Sequence, residues 1–179
     1  MTAVEGEGPG GLPEAVIASL VAGGLTVGAA ESLTGGLVTA ALTSVPGSSA
    51  AVRGGIVAYA ADLKNALLGV DADLLERVGT VHADVALAMA RGARERLGAS
   101  VGVATTGVAG PDPSDGQPVG TVHIAVCTAG LARHEALTLN GDRAEIRRAT
   151  VDRVLKLLVA TLRETTLRET TLTELRRPS

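Results

Sequence analysis

No phenylalanine and no tryptophan occur in this chain, and Tyr59 is its one tyrosine, although 46% of the residues are hydrophobic. The core must therefore be assembled from Ala, Val, Leu and Ile. Such short side chains reach native packing density only if the elements that carry them lie close together. With 179 residues, the chain suits one domain around a single core of ordinary size.

The same composition removes whole classes of function. A net charge of -3 and a pI near 5.6 give little electrostatic grip on nucleic acid or an anionic membrane. Stacking aromatics and a basic stripe, the usual footprint of a nucleic-acid binder, are both missing, so no nucleic-acid partner is expected. Cys127 is the only cysteine, which rules out an intrachain disulfide and a CxxC metal site. Its apolar, alternating surroundings predict a buried structural thiol. Acidic residues are scattered and no His/Cys spacing fits a ligand set, so no metal site is expected. The N-terminus carries no positive stretch followed by an apolar run, and no uncharged apolar stretch reaches membrane-spanning length. The expectation is a cytoplasmic protein with no membrane partner.

Along the chain, residues 1–11 are Gly- and Glu-rich and read as disordered. Pro13 opens a short helix stopped by Gly23-Gly24. Leu25–Ala30 reads as a buried strand, followed by Gly35-Gly36 and a helical apolar face from Leu37 to Val45, ended by Pro46-Gly47. A second strand is expected at Gly54–Tyr59, a helical segment around Leu63–Leu68, and a helix over His82–Leu97. Ser100–Thr105 reads as a third strand, Asp112–Pro118 as an exposed loop, and Thr121–Thr128 with His134–Leu139 as a hairpin. Asp142 and Glu145 resemble a capping box at the start of the last helix. Strands separated by helices, closing with a hairpin and a helix, indicate an α/β three-layer domain whose sheet is mainly parallel with one antiparallel member. From Thr161 a five-residue Thr-Leu-Arg-Glu-Thr repeat begins; its leucines drift around a helix, so 163–179 reads as a frayed helical extension or solvated tail.

Chemistry concentrates between Ala30 and Lys64. In open α/β sheets ligands sit beyond the carboxyl ends of strands, where Glu31–Gly36 and Thr106–Pro111 should project. Glycines let backbone approach an anion, and free helix N–H groups favour a phosphate or an oxyanion. Gly47-Ser48-Ser49 offers a hydroxyl nucleophile, and a serine at neutral pH needs a base. His82, His123 and His134 belong to no readable Ser/His/Asp pattern. Lys64 is the alternative. To act as a base its pKa must fall from ~10.4 toward about 7–8, which takes roughly 3–5 kcal/mol of differential interaction. Burial could supply that and Asp62 would oppose it; spacing alone favours a solvated helix lysine. Arg143 and Arg147, in the first turns of the last helix, are by default surface arginines, and by chemistry a phosphate clamp.

In order, Ala30-Glu31-Ser32-Leu33-Thr34-Gly35-Gly36, Pro46-Gly47-Ser48-Ser49, Tyr59 with Lys64, Thr106-Gly107-Val108-Ala109-Gly110-Pro111, Pro118-Val119-Gly120-Thr121-Val122 and Gly141-Asp142-Arg143 resemble the motifs of the CinA C-terminal domain family, the nicotinamide mononucleotide deamidases. The resemblance implies a three-layer α/β/α domain over 12–162 with a mixed, mostly parallel five-stranded sheet. The implied reaction, in pyridine nucleotide salvage, hydrolyses the nicotinamide carboxamide to nicotinic acid mononucleotide and ammonia. It implies Ser49 as nucleophile, Lys64 as its base and Tyr59 as a partner that polarises or relays the proton. Ser32 and Thr106 are implied as substrate-site hydroxyls, with Thr34, Gly35, Gly36, Gly107 and Gly110 in the same Gly-rich turns. Arg143 is implied as the contact to the phosphate or the carboxamide end. No metal and no cofactor is implied. The expected ligand is a small-molecule nucleotide, and small-residue helices leave room for a homo-oligomer.

The chain departs from the family pattern at Leu33, where a cysteine is usual, and at Ala60 and Ala61, where polar residues usually follow the tyrosine. The Asp112–Gln117 loop is shorter than usual, and Gln117 replaces a common lysine. Larger members carry an N-terminal nucleotide-pyrophosphatase-like domain that has no counterpart in this sequence, so only the deamidase reaction is expected. Two alternatives remain open: a non-catalytic nucleotide-binding or regulatory module, and an amidohydrolase acting on a different carboxamide metabolite.

Overall fold

The computed structural model describes residues 11–175, with side chains through residue 165. Of the segment read as disordered, only Gly11 falls within that range, where it caps the first helix. The elements run α1 (Leu12–Ala22), β1 (Val27–Glu31), α2 (Leu37–Thr43), a 3-10 turn at Ser48–Ala50, β2 (Val52–Val57), α3 (Ala61–Leu68), α4 (Ala72–Val78), α5 (Ala83–Arg96), β3 (Val101–Gly107), β4 (Thr121–Cys127), β5 (Ala132–Thr138) and α6 (Arg143–Leu175). The five strands form one sheet in the order β2-β1-β3-β4-β5. Strands β2, β1 and β3 pair in parallel, and β4 is antiparallel to both β3 and β5. One strand therefore runs against the other four, as the hairpin near Gly130 predicts.

The two faces of the sheet are built differently. On one, Val27, Ala29, Val101, Val103, Val122, Ile124 and Val126 meet the apolar sides of α1, α2 and α6. On the other, Ala30, Ala104, Ala125 and Cys127 meet Ala86, Met89, Ala90 and Ala93 of α5, with α3 packed beside it. This second face is where the lack of aromatics is felt. A Cβ placed on Gly102 would sit 1.9 Å from the Ala90 carbonyl oxygen, and one on Gly92 would sit 2.1 Å from that of Leu68. Helix α5 thus rests almost backbone to backbone on β3 and α3, and close approach replaces side-chain bulk.

Several boundaries differ from the sequence reading. Strand β2 begins two residues earlier than Gly54, and α2 stops at Thr43 because Ser44 and the following turn lead into Pro46. Helix α4 was not expected; Leu74, Leu75 and Val78 pack it against the core, and the Asp71 side chain caps the Asp73 amide. The Asp142–Glu145 capping box is present in both directions, at 2.7 and 2.9 Å. Helix α6 carries the repeat as a helical extension as far as Leu175. Among the described residues no helix is long and apolar enough to cross a membrane. The carboxyl ends of β1, β2 and β3, the start of β4 and the N-terminus of α6 all meet along one edge of the sheet, and the pocket lies there.

Candidate active site

Strand β1 ends in Glu31 and hands the chain to Ser32, whose amide bonds the Thr105 carbonyl on β3 at 3.0 Å. Glu31 is fully buried. Its carboxylate accepts the amides of Gly36 (2.9 Å), Val38 (3.0 Å) and Thr39 (2.8 Å) and the Thr39 hydroxyl (2.7 Å). The turn between β1 and α2 is thereby tied to its own strand. On its other side Arg147 of α6 donates to the carbonyls of Leu33 (3.0 Å) and Thr34 (2.8 Å). Ser32 is held from both flanks.

Lys64 approaches Ser32 from α3. It shares the inward side of that helix with Leu68, four residues on, and only 1% of it is exposed. Its Nζ donates to Ser32 Oγ at 3.1 Å, to the Ala58 carbonyl at 2.9 Å and, at 3.5 Å, to the Tyr59 carbonyl. Burial pushes the lysine down and the Asp115 carboxylate holds it partly up, leaving it at about 8. The opposing carboxylate is thus Asp115 from a distant loop, and not the sequence neighbour Asp62. A buried amine that titrates near neutrality and touches a serine hydroxyl can accept that hydroxyl's proton.

Ser32 opens onto a cavity of about 200 Å³ lined also by Leu33, Tyr59, Thr80, Val81, Gly107, Val108, Gly110 and Arg143. No histidine or cysteine lines it. Arg143 crosses its mouth, donating through Nη1 to the Gly110 carbonyl (2.6 Å) and through Nη2 to the Tyr59 hydroxyl (2.7 Å). Among the described residues no cluster of His, Cys, Asp and Glu could hold a metal ion.

The family model for the CinA C-terminal domain matches residues 11–162. The chain belongs to that family. It is 49% identical to a CinA-like protein of Frankia casuarinae over 80% of its own length and 33% of the relative's. It is 47% identical to a CinA-like protein of Anaeromyxobacter sp. (strain K) over 89% of this chain and 40% of the relative. The chain thus spans well under half of these relatives. Among solved structures, the competence/damage inducible protein CihA from Agrobacterium tumefaciens superposes with a TM-score of 0.80 at 41% identity, covering 87% of this chain and 98% of that one. A CinA superfamily protein from Klebsiella pneumoniae gives 0.82 at 29% identity, covering 86% and 96%.

Within this CinA domain the expected residues separate into two groups. Ser32, Tyr59, Gly107, Gly110 and Arg143 line the cavity, and Lys64 touches Ser32. Ser49 does not join them. It is exposed in the 3-10 turn that enters β2, next to Ala51, whose carbonyl accepts the Val27 amide at the start of β1. That is the amino edge of the parallel strands, opposite the edge that carries Lys64. A Ser49–Lys64 pair within one chain is therefore replaced by Ser32–Lys64, because a strand separates the two ends of the Gly47–Lys64 stretch.

The remaining expected residues support the site from behind. Thr34 is buried with its hydroxyl 2.7 Å from that of Thr105. Thr106 donates to the Thr80 carbonyl at 2.7 Å. Gly35 and Gly36 have positive φ values of 58° and 100°, as a tight turn after β1 needs. The Gly35 amide bonds the Ser32 carbonyl, and Glu31 takes the amide of Gly36 together with those of Val38 and Thr39. The sequence reading missed Thr80 and Val81, which lie in the turn after Gly79, and the partner they find in Asp115. For Arg147 it offered a surface arginine or a phosphate clamp, whereas the guanidinium donates to the Leu33 and Thr34 carbonyls. A glycine before a hydroxyl residue, Gly79-Thr80, was the one available signal.

Proposed function

We propose that this CinA domain hydrolyses the carboxamide of nicotinamide mononucleotide, releasing ammonia and nicotinic acid mononucleotide. The observation that carries the reading is the 3.1 Å contact between Ser32 Oγ and a buried Lys64 whose pKa is lowered to about 8. At pH 7 about one molecule in ten holds Lys64 neutral, enough for general-base catalysis worth about 10²–10⁴ in rate.

In this reading Ser32 Oγ attacks the carboxamide carbon as its proton passes to Lys64 Nζ. The carbonyl oxygen becomes an oxyanion. The Leu33 amide follows the nucleophile directly and has no hydrogen-bond partner among the described residues, so it is the donor at hand for that charge. Collapse of the tetrahedral intermediate expels ammonia, which takes the proton from Lys64, and leaves an ester on Ser32. Water, deprotonated by the neutral Lys64, then hydrolyses the ester and restores Ser32. Tyr59, whose hydroxyl accepts from Arg143, lines the same cavity. The choice of nucleotide over other carboxamides rests on the family resemblance.

Ammonia release from nicotinamide mononucleotide tests this directly. Wild type turns over; Ser32→Ala and Lys64→Met lose at least about a thousandfold in kcat/KM, and Ser49→Ala retains turnover. Loss in Ser49→Ala with survival in Ser32→Ala would reverse the assignment. Binding of the nucleotide with no ammonia from wild type would leave a binding module. Equal turnover of nicotinamide mononucleotide, nicotinamide riboside and nicotinamide would point to another carboxamide.

A further inference from the structure

One group of donors in the pocket wall is already occupied by a piece of the protein. The Thr80 amide, the Thr80 hydroxyl (2.9 Å) and the Val81 amide (3.0 Å) all donate to a single oxygen, Asp115 Oδ2. Thr80 and Val81 line the cavity, as do Asp112 and Ser114 from the loop that carries Asp115. Asp115 itself is exposed and is the one described non-glycine residue with positive φ, at 57°. The backbone is bent to bring its carboxylate in. Opposite it, Gly79 has φ 77°, and a Cβ there would stand 2.6 Å from Asp115 Oδ2. The space around that oxygen is therefore kept clear.

Two further features bear on what belongs there. The cavity measures only about 200 Å³ with the loop drawn in, below the roughly 300–1,000 Å³ of ordinary small-molecule sites. Arg143, the expected phosphate contact, is held across the mouth by one bond from each Nη, to the Gly110 carbonyl and to the Tyr59 hydroxyl. The converging uncharged donors at Thr80 and Val81 have instead an anionic oxygen as partner. Burial works against the charge on Asp115, but the Thr80 and Val81 donors and Lys64 together hold its carboxyl below the usual carboxylate range.

We propose that the amides of Thr80 and Val81, with the Thr80 hydroxyl, are the site for a phosphate monoester in this pocket, and that Asp115 occupies it as an internal competitor. Its displacement frees the 112–117 loop and enlarges the cavity. The identity of the anion as the phosphate of a mononucleotide rests on the function proposed above; the occupancy of the donors by Asp115 does not. Substrate without phosphate leaves the clasp closed and meets the smaller cavity.

The test needs no turnover. Amide resonances of Thr80 and Val81 are followed by NMR as orthophosphate is added to wild type, Asp115→Asn and Asp115→Gly. Asparagine and glycine both tolerate the positive φ at this position, so the loop keeps its path while the competing charge is removed. The expected result is binding about tenfold tighter in both variants, which is the gain when a competitor that closes the site about nine-tenths of the time is removed. Nicotinamide mononucleotide should gain as orthophosphate does, and nicotinamide riboside should not. Unchanged or weaker phosphate binding in the variants, or shifts that bypass Thr80 and Val81, would overturn the proposal. Tighter phosphate binding in a protein that releases no ammonia would uphold it while defeating the deamidase reading. Ammonia release without tighter phosphate binding would do the reverse.

Discussion

Glu31 and Asp115 each gather several hydrogen-bond donors around one carboxylate, but in opposite settings. Glu31 ends a central strand, has no exposed surface, and finds its donors five to eight residues along the chain. Asp115 rides on an exposed loop and reaches donors 34 and 35 residues away. Water can take over the donors that Asp115 leaves, since they face a pocket. The Glu31 carboxylate has no exposed surface, and its donors are the buried Val38 and the half-buried Gly36 and Thr39 of the turn it closes. The first carboxylate is therefore a fixed part of the frame that aims Ser32, and the second is a replaceable part of the pocket. The same bonding pattern gives permanence in one place and exchange in the other, and burial is what decides between them.

The sharpest way to break this comparison is by stability. Glu31→Ala leaves the buried Val38 amide and the half-buried amides of Gly36 and Thr39 without their acceptor and should cost about 3–5 kcal/mol, read from urea unfolding at pH 7. Asp115→Asn, which keeps the positive φ, should cost less than about 1 kcal/mol, as an exposed substitution does. Equal losses would remove the distinction.

Lys64 sharpens it next. Its pKa in the folded protein, about 8, lies below the 10.5 of a free lysine, so the folded state binds fewer protons between those pH values. Wild-type stability therefore carries a penalty of about 3 kcal/mol below pH 8 that fades as pH rises to about 10.5. Lys64→Met should be the more stable protein at pH 7, with the gap closing toward pH 10.5. A gap that widens with pH would contradict the buried amine.

The smallest effect is on the pH profile of ammonia release. Its ascending limb should have a midpoint at about 8, where Lys64 loses its proton. Asp115 holds that value up, so Asp115→Asn should move the midpoint to lower pH. Glu31→Gln should lower the rate by disturbing Ser32 and leave the midpoint in place. If both variants move the limb alike, the two carboxylates do not have separate roles.

Much of the fold was legible because it is written in local patterns. The buried run before Glu31 and the capping box at Asp142 depend on residues within a few positions of each other, and both appear where expected. Helix α4 was missed because its apolar residues Leu74, Leu75 and Val78 span little more than one turn, too short a run to show a period. For the site, the residue types were legible and their pairing was not. Ser49 is closer to Lys64 in sequence than Ser32 is, yet β2 lies between Ser49 and Lys64, while Ser32 meets Lys64 across 32 positions. Asp115 could not have been assigned to Thr80 from spacing at all.

By itself, the amino-acid sequence determined that this chain folds into helices laid close on a sheet, that it belongs with the CinA C-terminal domains, and that hydroxyls, glycines and one lysine gather between Ala30 and Lys64. Those properties follow from composition, from short-range periodicity and from ordered motifs. The tertiary structure alone decided which serine the lysine reaches, which carboxylate fills which set of amides, and how far burial lowers the lysine's pKa. Contacts across tens of residues and the exclusion of water are set by how strands and loops stack, and no local spacing encodes them.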